Sequence, residues 1–416
     1  MKRTALLFGF SLSNLLVFAQ NANKDTIDLT PVEVRATRAT NLAPFTKLNI
    51  GKEEVQKANL GQDLPFLLNS TPGAVASSDA GTGIGYTGLR IRGTDLTRIN
   101  VTLNGIPYND AESGGVFFVD LPDFASSVGS IQIQRGAGTS SNGGGAFGAT
   151  VNLSTNELNV KPYGDIINGF GSFNTRRHTV KVGTGLLHDH FTVDARLSSI
   201  QSNGFIDRSE SDLQSYYLSG AWTGKKTTIR FNTFSGKEKT YQAWSGIPEH
   251  KLNFNSDSLL NHYYNNIGVY YFNEADSINL FHSDRRKYNV YRYPNQTDNY
   301  KQDHYQLFFN HHLPGVNLST AFYLTKGAGY YEELKYNQKY SSYGLPNLTS
   351  GTSIMVATDL VRQLWLKNNL YGGVASLQGK KNKWDYTAGL NWNRFEGQHY
   401  GNITWAMQGI QKDYEW

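Results

Sequence analysis

Cysteine is missing from all 416 residues. That excludes a disulfide framework, thiolate metal sites, a cysteine nucleophile and a lipid-modified N-terminal cysteine, while leaving the redox compartment open. Long apolar runs are missing too. Beyond residue 18 no segment is apolar enough to span a bilayer as a helix, so any membrane insertion has to be by strands. Charge of one sign is scarce: 39 Lys and Arg against 34 Asp and Glu give a formal net charge of +5. This is too weak and too evenly mixed to imply nucleic acid, and no basic cluster accompanies a nucleic-acid-binding motif.

Enzyme signatures are broken or absent. Gly83-Ile84-Gly85-Tyr86-Thr87-Gly88 satisfies GxGxxG, but a loop precedes it and a strand follows, the reverse of a dinucleotide site; the span 77–88 reads as a flexible loop. The run 220–226 resembles a phosphate loop but is one residue short and lacks the Ser or Thr that would hold magnesium. His311-His312 falls in a strand pattern, where neighbours point to opposite faces and cannot share one metal. His188-Asp189-His190 fits a tight turn. With neither GxSxG nor HExxH present, no catalytic residue, resident metal or cofactor is assigned and the chain is not read as an enzyme.

What the chain has in quantity is glycine (42), tyrosine (25) and phenylalanine (22), at a mean hydropathy of -0.46. Aromatic and polar at once, this composition suits a β-barrel whose strands alternate lipid-facing and lumen-facing residues. Lys2-Arg3 followed by an apolar run over 5–18 reads as a secretory signal cleaved after Ala19. From about residue 163 the period becomes two. Phe191, Val193, Ala195 and Leu197 alternate with Thr192, Asp194, Arg196 and Ser198; Ile229, Phe231 and Thr233 alternate with Arg230 and Asn232. The same holds over 316–325 and 384–393.

Tight turns near 188–189, 224–225, 314–315 and 380–383 take turns with long Tyr- and Asn-rich loops near 202–212, 237–298 and 327–353. Short on one side and long on the other is the outer-membrane pattern, and weighs against a soluble sandwich. About nine strands fit between 163 and 397. An open edge in lipid leaves backbone groups unsatisfied, and plugged barrels have about 22 strands, needing roughly 700 residues at this spacing. The sequence therefore reads as the front part of a longer protein.

The stretch 89–155 is different. Short β-rich pieces (89–92, 99–103, 130–135, 150–153) alternate with glycine-rich or aromatic loops, predicting a small mixed sheet, with a turn at Asn104-Gly105 and Pro107 kept off any central strand. Ahead of it, 61–68 reads as a short helix with Pro65 in its first turn. Leu89-Arg90-Ile91-Arg92-Gly93, Asn104-Gly105-Ile106-Pro107, Ser130-Ile131-Gln132-Ile133-Gln134-Arg135-Gly136 and the small-residue run 143–150 resemble the plug of TonB-dependent outer-membrane receptors, with the remaining chain resembling the first part of their barrel. The fold expected is an α+β plug domain followed by a transmembrane antiparallel β-barrel of the 22-stranded type, incomplete in this chain. Its divisions are a signal peptide over 1–19, a periplasmic segment over 20–40, the plug over 41–158 and the barrel over 159–416.

The resemblance implies several roles. The segment around Ile27, Asp28, Leu29, Thr30, Pro31, Val32, Glu33 and Val34 would be the TonB box; by residues alone it is an unpartnered extended piece, equally a leader or an edge strand of the plug. Arg92 and Arg135, at matching motif positions, would hold plug to barrel through carboxylates on strands that this chain lacks. Each is otherwise a solvated strand end. Ligand would arrive from outside onto apices at 78–87 and 108–118. The candidates there are Tyr86, Asn109, Asp110, Glu112, Phe117 and Phe118, joined by Tyr241, Trp244, Tyr263, Tyr264, Tyr270 and Tyr271 from the longest loop.

His250, His262 and His282 would reach a metal chelate only as isolated side chains. Seven basic and seven acidic residues over 237–298 leave that loop near neutral, so its charge names no cargo. The expected partners are TonB with its inner-membrane energising complex, outer-membrane lipid and a small-molecule metal chelate or similar ligand; an iron complex is the first expectation, with cobalamin or a glycan as alternatives. An adhesin or a diffusion porin is the competing class.

Overall fold

The computed structural model describes residues 38–39, 45–138 and 147–416; the secretory signal and the segment 27–34 lie outside the described residues. The N-terminal unit begins with β1 (Lys47–Ile50), α1 (Lys52–Ala58), α2 (Leu64–Leu68) and the hairpin β2 (Ala74–Ser78) and β3 (Thr87–Ile91). It continues with β4 (Ile99–Leu103), β5 (Ile106–Pro107), β6 (Ser130–Arg135) and β7 (Ala149–Ser154). Five of these strands form one sheet in the order β1-β6-β7-β4-β5, mixed because β4 and β7 run parallel. Asn104 and Gly105 have φ of 57° and 83°, the left-handed pair that a two-residue hairpin turn demands. Pro107 falls on the edge strand β5, where no donor is needed.

Both faces of this sheet are closed to water. Val101, Ile131, Ile133 and Val151 are fully buried on one side, while Thr102, Gln132, Gln134, Thr150 and Asn152 are just as buried on the other. On the polar face Thr102 Oγ1 donates to Asn152 Oδ1 at 2.7 Å, and just past its end the Thr155 amide donates to Asn104 Oδ1 at 2.7 Å. Leaving such a group unpaired would cost about 1–3 kcal/mol. A polar sheet face buried this deeply needs something packed over it.

Ala39 supplies part of it, its N–H donating to Gln132 Oε1 at 2.7 Å, and the second part of the chain forms a wall beside the unit. Nine long antiparallel strands run over β8 (Tyr163–Gly171), β9 (Thr175–Gly183), β10 (Phe191–Ser202), β11 (Ser211–Thr223), β12 (Thr227–Tyr241), β13 (Thr297–Leu313), β14 (Val316–Lys339), β17 (Ala357–Lys381) and β18 (Trp384–Ala406). The small hairpin β15 (Leu348–Ser350) and β16 (Ser353–Met355) stands between β14 and β17, and two-residue β19 (Tyr414–Glu415) pairs with β18. The sheet is open, with β8 and β19 as its edges among the described residues, so the wall is an incomplete barrel. Nine long strands match the expected number.

The wall's alternation inverts that of a soluble protein. On β10 the apolar Phe191, Val193 and Leu197 are 50%, 44% and 66% exposed, whereas Thr192, Asp194 and Arg196 are 3%, 7% and 3% exposed. β12 repeats this with Ile229 and Phe231 outward and Arg230 and Asn232 buried. An apolar outside over a polar inside is what lipid on one face and a polar filling on the other require. Among the described residues no helix is long and apolar enough to cross a membrane.

One rim carries 184–190 and the short turns at 224–226, 314–315 and 382–383; the other carries the tight turn 172–174 and then the long connections 203–210, 242–296 and 340–356. The long loops begin later than expected because β12, β13 and β14 continue pairing through their Tyr- and Asn-rich ends. The longest loop is folded, with α3 (Glu249–Leu252), α4 (Ser256–Asn265) and α5 (Glu274–His282) around a core of Tyr271, Leu280 and Tyr288.

Two local readings change. β2 occupies the start of the span 77–88, and the rest is tied down by the Asp63 amide to Gly83 O at 2.8 Å and Gln62 Nε2 to Thr82 O at 2.8 Å. Helix α1 has no counterpart in the sequence reading, since Val55 is its only buried residue; Gly51 N–H donating to Glu54 Oε2 at 2.9 Å starts it.

Candidate functional site

The site has a seat and a mouth, both built where the N-terminal unit meets the wall. Between β5 and β6 the chain makes two 3-10 turns, Phe118–Asp120 and Phe124–Ser126. Asp123 lies between them in the left-handed region at φ 52°, which a short polar side chain tolerates better than most. Its carboxylate is enclosed by the wall: Arg177 Nη2 donates at 2.7 Å, Thr179 Oγ1 at 2.6 Å and Ser198 Oγ at 2.6 Å, with Ser126 Oγ at 2.7 Å from its own turn. Arg196 donates to the Asp123 carbonyl, Arg177 to Asn59 O at 3.1 Å, and Ser215 Oγ to Pro122 O at 2.7 Å.

Burial by itself would raise the Asp123 carboxyl. The guanidiniums of Arg196 and Arg177 with the Ser198 and Thr179 hydroxyls outweigh it and hold the group below the usual carboxylate range.

Further contacts extend the seat across the wall. Tyr217 hydroxyl donates to Thr155 Oγ1 at 3.0 Å, Asn232 Nδ2 to Asn156 Oδ1 at 2.8 Å and Asn104 Nδ2 to Gln306 Oε1 at 3.1 Å. Phe234 of β12 is 1% exposed and packs on Phe124 with ring centroids 5.2 Å apart, so the core of the N-terminal unit continues into the wall. At Gly236 a Cβ would stand 2.0 Å from Asp120 O. Only glycine lets the 118–120 turn press against β12 there.

Above the seat opens a cavity of about 910 Å³ between the apex 106–120 and strands β12, β13, β14, β17 and β18. Three carboxylates line its floor. Asp120 comes from the N-terminal unit, Glu238 from β12 and Asp298 from β13; they are 7%, 3% and 9% exposed. The register pairs Glu238 with Tyr300 and Thr240 with Asp298, making Glu238 and Asp298 diagonal neighbours on the inward face. The Tyr86 hydroxyl donates to Asp298, whereas Glu238 Oε2 has no hydrogen-bond partner among the described residues. Burial, then the nearby carboxylates of Asp298 and Asp110, push the Asp120 carboxyl well above the usual range. Two aspartates three residues apart are thus driven in opposite directions, one down by neighbouring cations and the other up by burial first and neighbouring anions second.

Five of the residues expected to meet ligand line this cavity: Tyr86, Asn109, Asp110, Glu112 and Phe117. Asn109 is committed to the backbone of its own turn, accepting from the Val101 amide at 2.8 Å and donating to Ile99 O at 2.9 Å, and Asp110 caps Ser113 at 2.7 Å. Glu112 reaches across to His399 Nε2 at 2.9 Å. Phe118 is corrected: it turns into the core at 1% exposure, while its neighbour Phe117 is 43% exposed. Tyr241 is buried too and donates to Tyr293 O at 2.7 Å. Trp244 lies edge-on to Tyr86 with centroids at 5.3 Å, backing the cavity wall without lining it.

In the long loop Tyr263 and Tyr271 serve its own packing, whereas Tyr264 and Tyr270 are exposed. His250 and His262 have ring centroids 6.5 Å apart, and His262 Nε2 lies 3.0 Å from the Tyr271 hydroxyl. Among the described residues no three His, Asp or Glu side chains are grouped to hold a metal ion. Arg92 and Gly93 form a tight turn at φ 53° and 81°, and Arg135 Nη1 donates to Pro72 O at 3.1 Å. The residues that sequence reasoning missed are Asp120, Asp123, Glu238 and Asp298, each an ordinary acid in a polar context.

Residues 41–150 match the TonB-dependent receptor plug domain family. Among solved structures, FpvA of P. aeruginosa bound to a heterologous ferric pyoverdine aligns with a TM-score of 0.61 at 13% identity, over 90% of this chain and 45% of that one. The ferric-catecholate import receptor Fiu from E. coli K12 aligns at 0.57 and 16%, over 87% and 50%. The copper transporter OprC aligns at 0.60 and 12%, over 91% and 50%. At such identities the likeness is one of fold, and this chain spans about half the length of each of these proteins. Residues 41–150 thus match a plug domain of the TonB-dependent receptor kind, and the nine strands share the fold of the wall that encloses such a plug.

Proposed function

We propose that this plug and wall belong to a TonB-dependent importer of the Gram-negative outer membrane, carrying a scarce ligand, foremost a ferric chelate or other iron complex. The observation behind this reading is the seat itself. A polar plug closes the inner face of the wall through Asp123, Asn104, Thr155 and the Phe124–Phe234 contact, directly beneath a cavity that opens toward the rim of long loops. A bore closed in this way does not serve passive diffusion. Passage requires the plug to shift, and the outer membrane offers no nucleotide to drive it.

In this reading TonB, energised from the inner membrane, engages the segment 27–34 by strand addition and pulls. Arg92 and Arg135, at the ends of β3 and β6, complete the plug's attachment through carboxylates on further wall strands. The signal at 1–19 directs export.

The experiment is deletion of residues 25–34 in the full-length receptor, with radiolabelled iron-complex binding and uptake measured under iron limitation and, in parallel, uptake of cobalamin and glycans. Binding is retained and uptake lost for an importer. Unchanged uptake, or unchanged behaviour in every assay as for an adhesin, refutes the proposal, as does TonB-independent ion conductance in planar bilayers.

A further inference from the structure

The cavity above the plug has an unbalanced lining. Five carboxylates face it, from Asp110, Glu112, Asp120, Glu238 and Asp298, and among the described residues none of its lining is lysine or arginine. Its histidines are His304 and His399, and His399 is spent on Glu112. That leaves Asp120, Glu238 and Asp298 on the floor with no basic partner among the described residues. Of these, Glu238 is 3% exposed and its Oε2 accepts no hydrogen bond from the described residues. The nearest lysines, Lys237 and Lys239, are carried to the outer face by the strand's alternation and are exposed. Buried carboxylates gathered without a counter-charge destabilise a fold, and such a constellation persists where a binding partner supplies the missing charge.

The rest of the lining suits the same partner. Tyr86, Tyr300, Trp365 and Tyr400 are among its lining, and Trp365 and Tyr400 stack in parallel at 5.8 Å. Aromatic faces attract organic cations. No grouping for a bare metal ion exists among the described residues, so a protonated amine or guanidinium with N–H donors fits Glu238 Oε2 better than a coordinated cation.

We infer that the cavity is a recognition site for a positively charged organic group, an ammonium or guanidinium carried by the cargo, with Asp120, Glu238 and Asp298 as its counter-charges and the surrounding rings as its walls. This rests on the cavity being where cargo first docks, and it narrows the cargo to complexes bearing a cationic arm; a polyanionic chelate is repelled.

The test is saturation-transfer NMR on the full-length receptor in detergent with three probes of one shape: phenethylammonium, 2-phenylethanol and 3-phenylpropionate. The ammonium binds, the alcohol binds at least about ten-fold more weakly and the carboxylate more weakly still, since a hydrogen bond to a charged group carries that much discrimination. Glu238→Gln and Asp298→Asn each weaken the ammonium about ten-fold without lowering the melting temperature, while Lys237→Gln on the outer face changes nothing. The inference is overturned if the ammonium fails to bind, if 3-phenylpropionate binds as well, or if both inward variants leave ammonium binding unchanged. Deleting residues 25–34 leaves these titrations untouched, so loss of the import reading and loss of the cation site are read separately.

Discussion

Asp123 is the residue whose removal the structure prices most clearly. Its side chain is 0% exposed and that of Arg177 6%, and Arg196 beside them is 3% exposed. Asp123→Ala leaves two buried guanidiniums facing each other with no anion between them. Breaking a buried pair by deleting one partner costs about 3–5 kcal/mol, and here the Thr179 and Ser198 hydroxyls lose their acceptor as well. Asp123→Asn keeps an acceptor for the hydroxyls and costs less, because a charge-assisted bond is roughly twice as strong as a neutral one.

The readout is native-state hydrogen exchange at the Ser126, Ser127 and Val128 amides, which donate within the same pair of turns to Asp123, Phe124 and Ala125. At about 1.4 kcal/mol per factor of ten, Asp123→Ala accelerates their exchange by two to three orders of magnitude while the outer strands keep their protection. The pH dependence follows from the lowered carboxyl of Asp123. Its contribution is complete above the ordinary aspartate value of about 4 and is lost as pH falls through the lower folded value. Unchanged protection in Asp123→Ala at neutral pH would refute the seat.

Gly236→Ala pushes a methyl into Asp120 O; overpacking of this kind costs about 1–3 kcal/mol, read as a lower melting temperature for the plug, and no loss would mean the 118–120 turn does not press on β12. Phe234→Ala removes a ring shared by plug and wall, and calorimetry should show a loss of about 3–5 kcal/mol. Leu197→Arg, on the outer face at 66% exposure, costs about 2–4 kcal/mol near a bilayer midplane. Unfolding titrations in lipid vesicles check it, and a change near zero would contradict a lipid-facing wall.

Much of this fold was legible in residue order. Strands β4, β6 and β7 of the plug sheet, the left-handed Asn104-Gly105 turn, the edge placement of Pro107 and the nine long strands follow from local chemistry and from a period of two, which one sequence displays directly. The piece 89–92, read into that sheet, pairs with β2 in a separate hairpin, and its place beside β6 is taken by β1, which the sequence did not signal. The binding chemistry was hidden for the same reason the strands were visible. Summed along the chain, 237–298 is neutral, but alternation sends Lys237 and Lys239 outward and Glu238 inward, and pairing brings Asp298 to Glu238 from across the longest loop. Asp123 gave no signal either, since its wall partners are 54 to 75 residues downstream and only the closure of plug on wall brings them together. Phe117 and Phe118 show the limit at single-residue scale, where a 3-10 turn decides which ring meets solvent.

The central claim is that the plug stops the wall's bore and has to move for cargo to pass. These 416 residues have no cysteine; in a full-length receptor whose other cysteines are replaced by serine, Asn104→Cys with Gln306→Cys places a thiol pair where the native side chains hydrogen-bond at 3.1 Å, ready to be bridged by a short, reducible thiol cross-linker. Iron-complex uptake by intact cells is then measured before and after reduction. The account predicts binding without uptake while the bridge is in place and recovery of uptake once it is reduced; uptake at the uncross-linked rate with the bridge intact would contradict it.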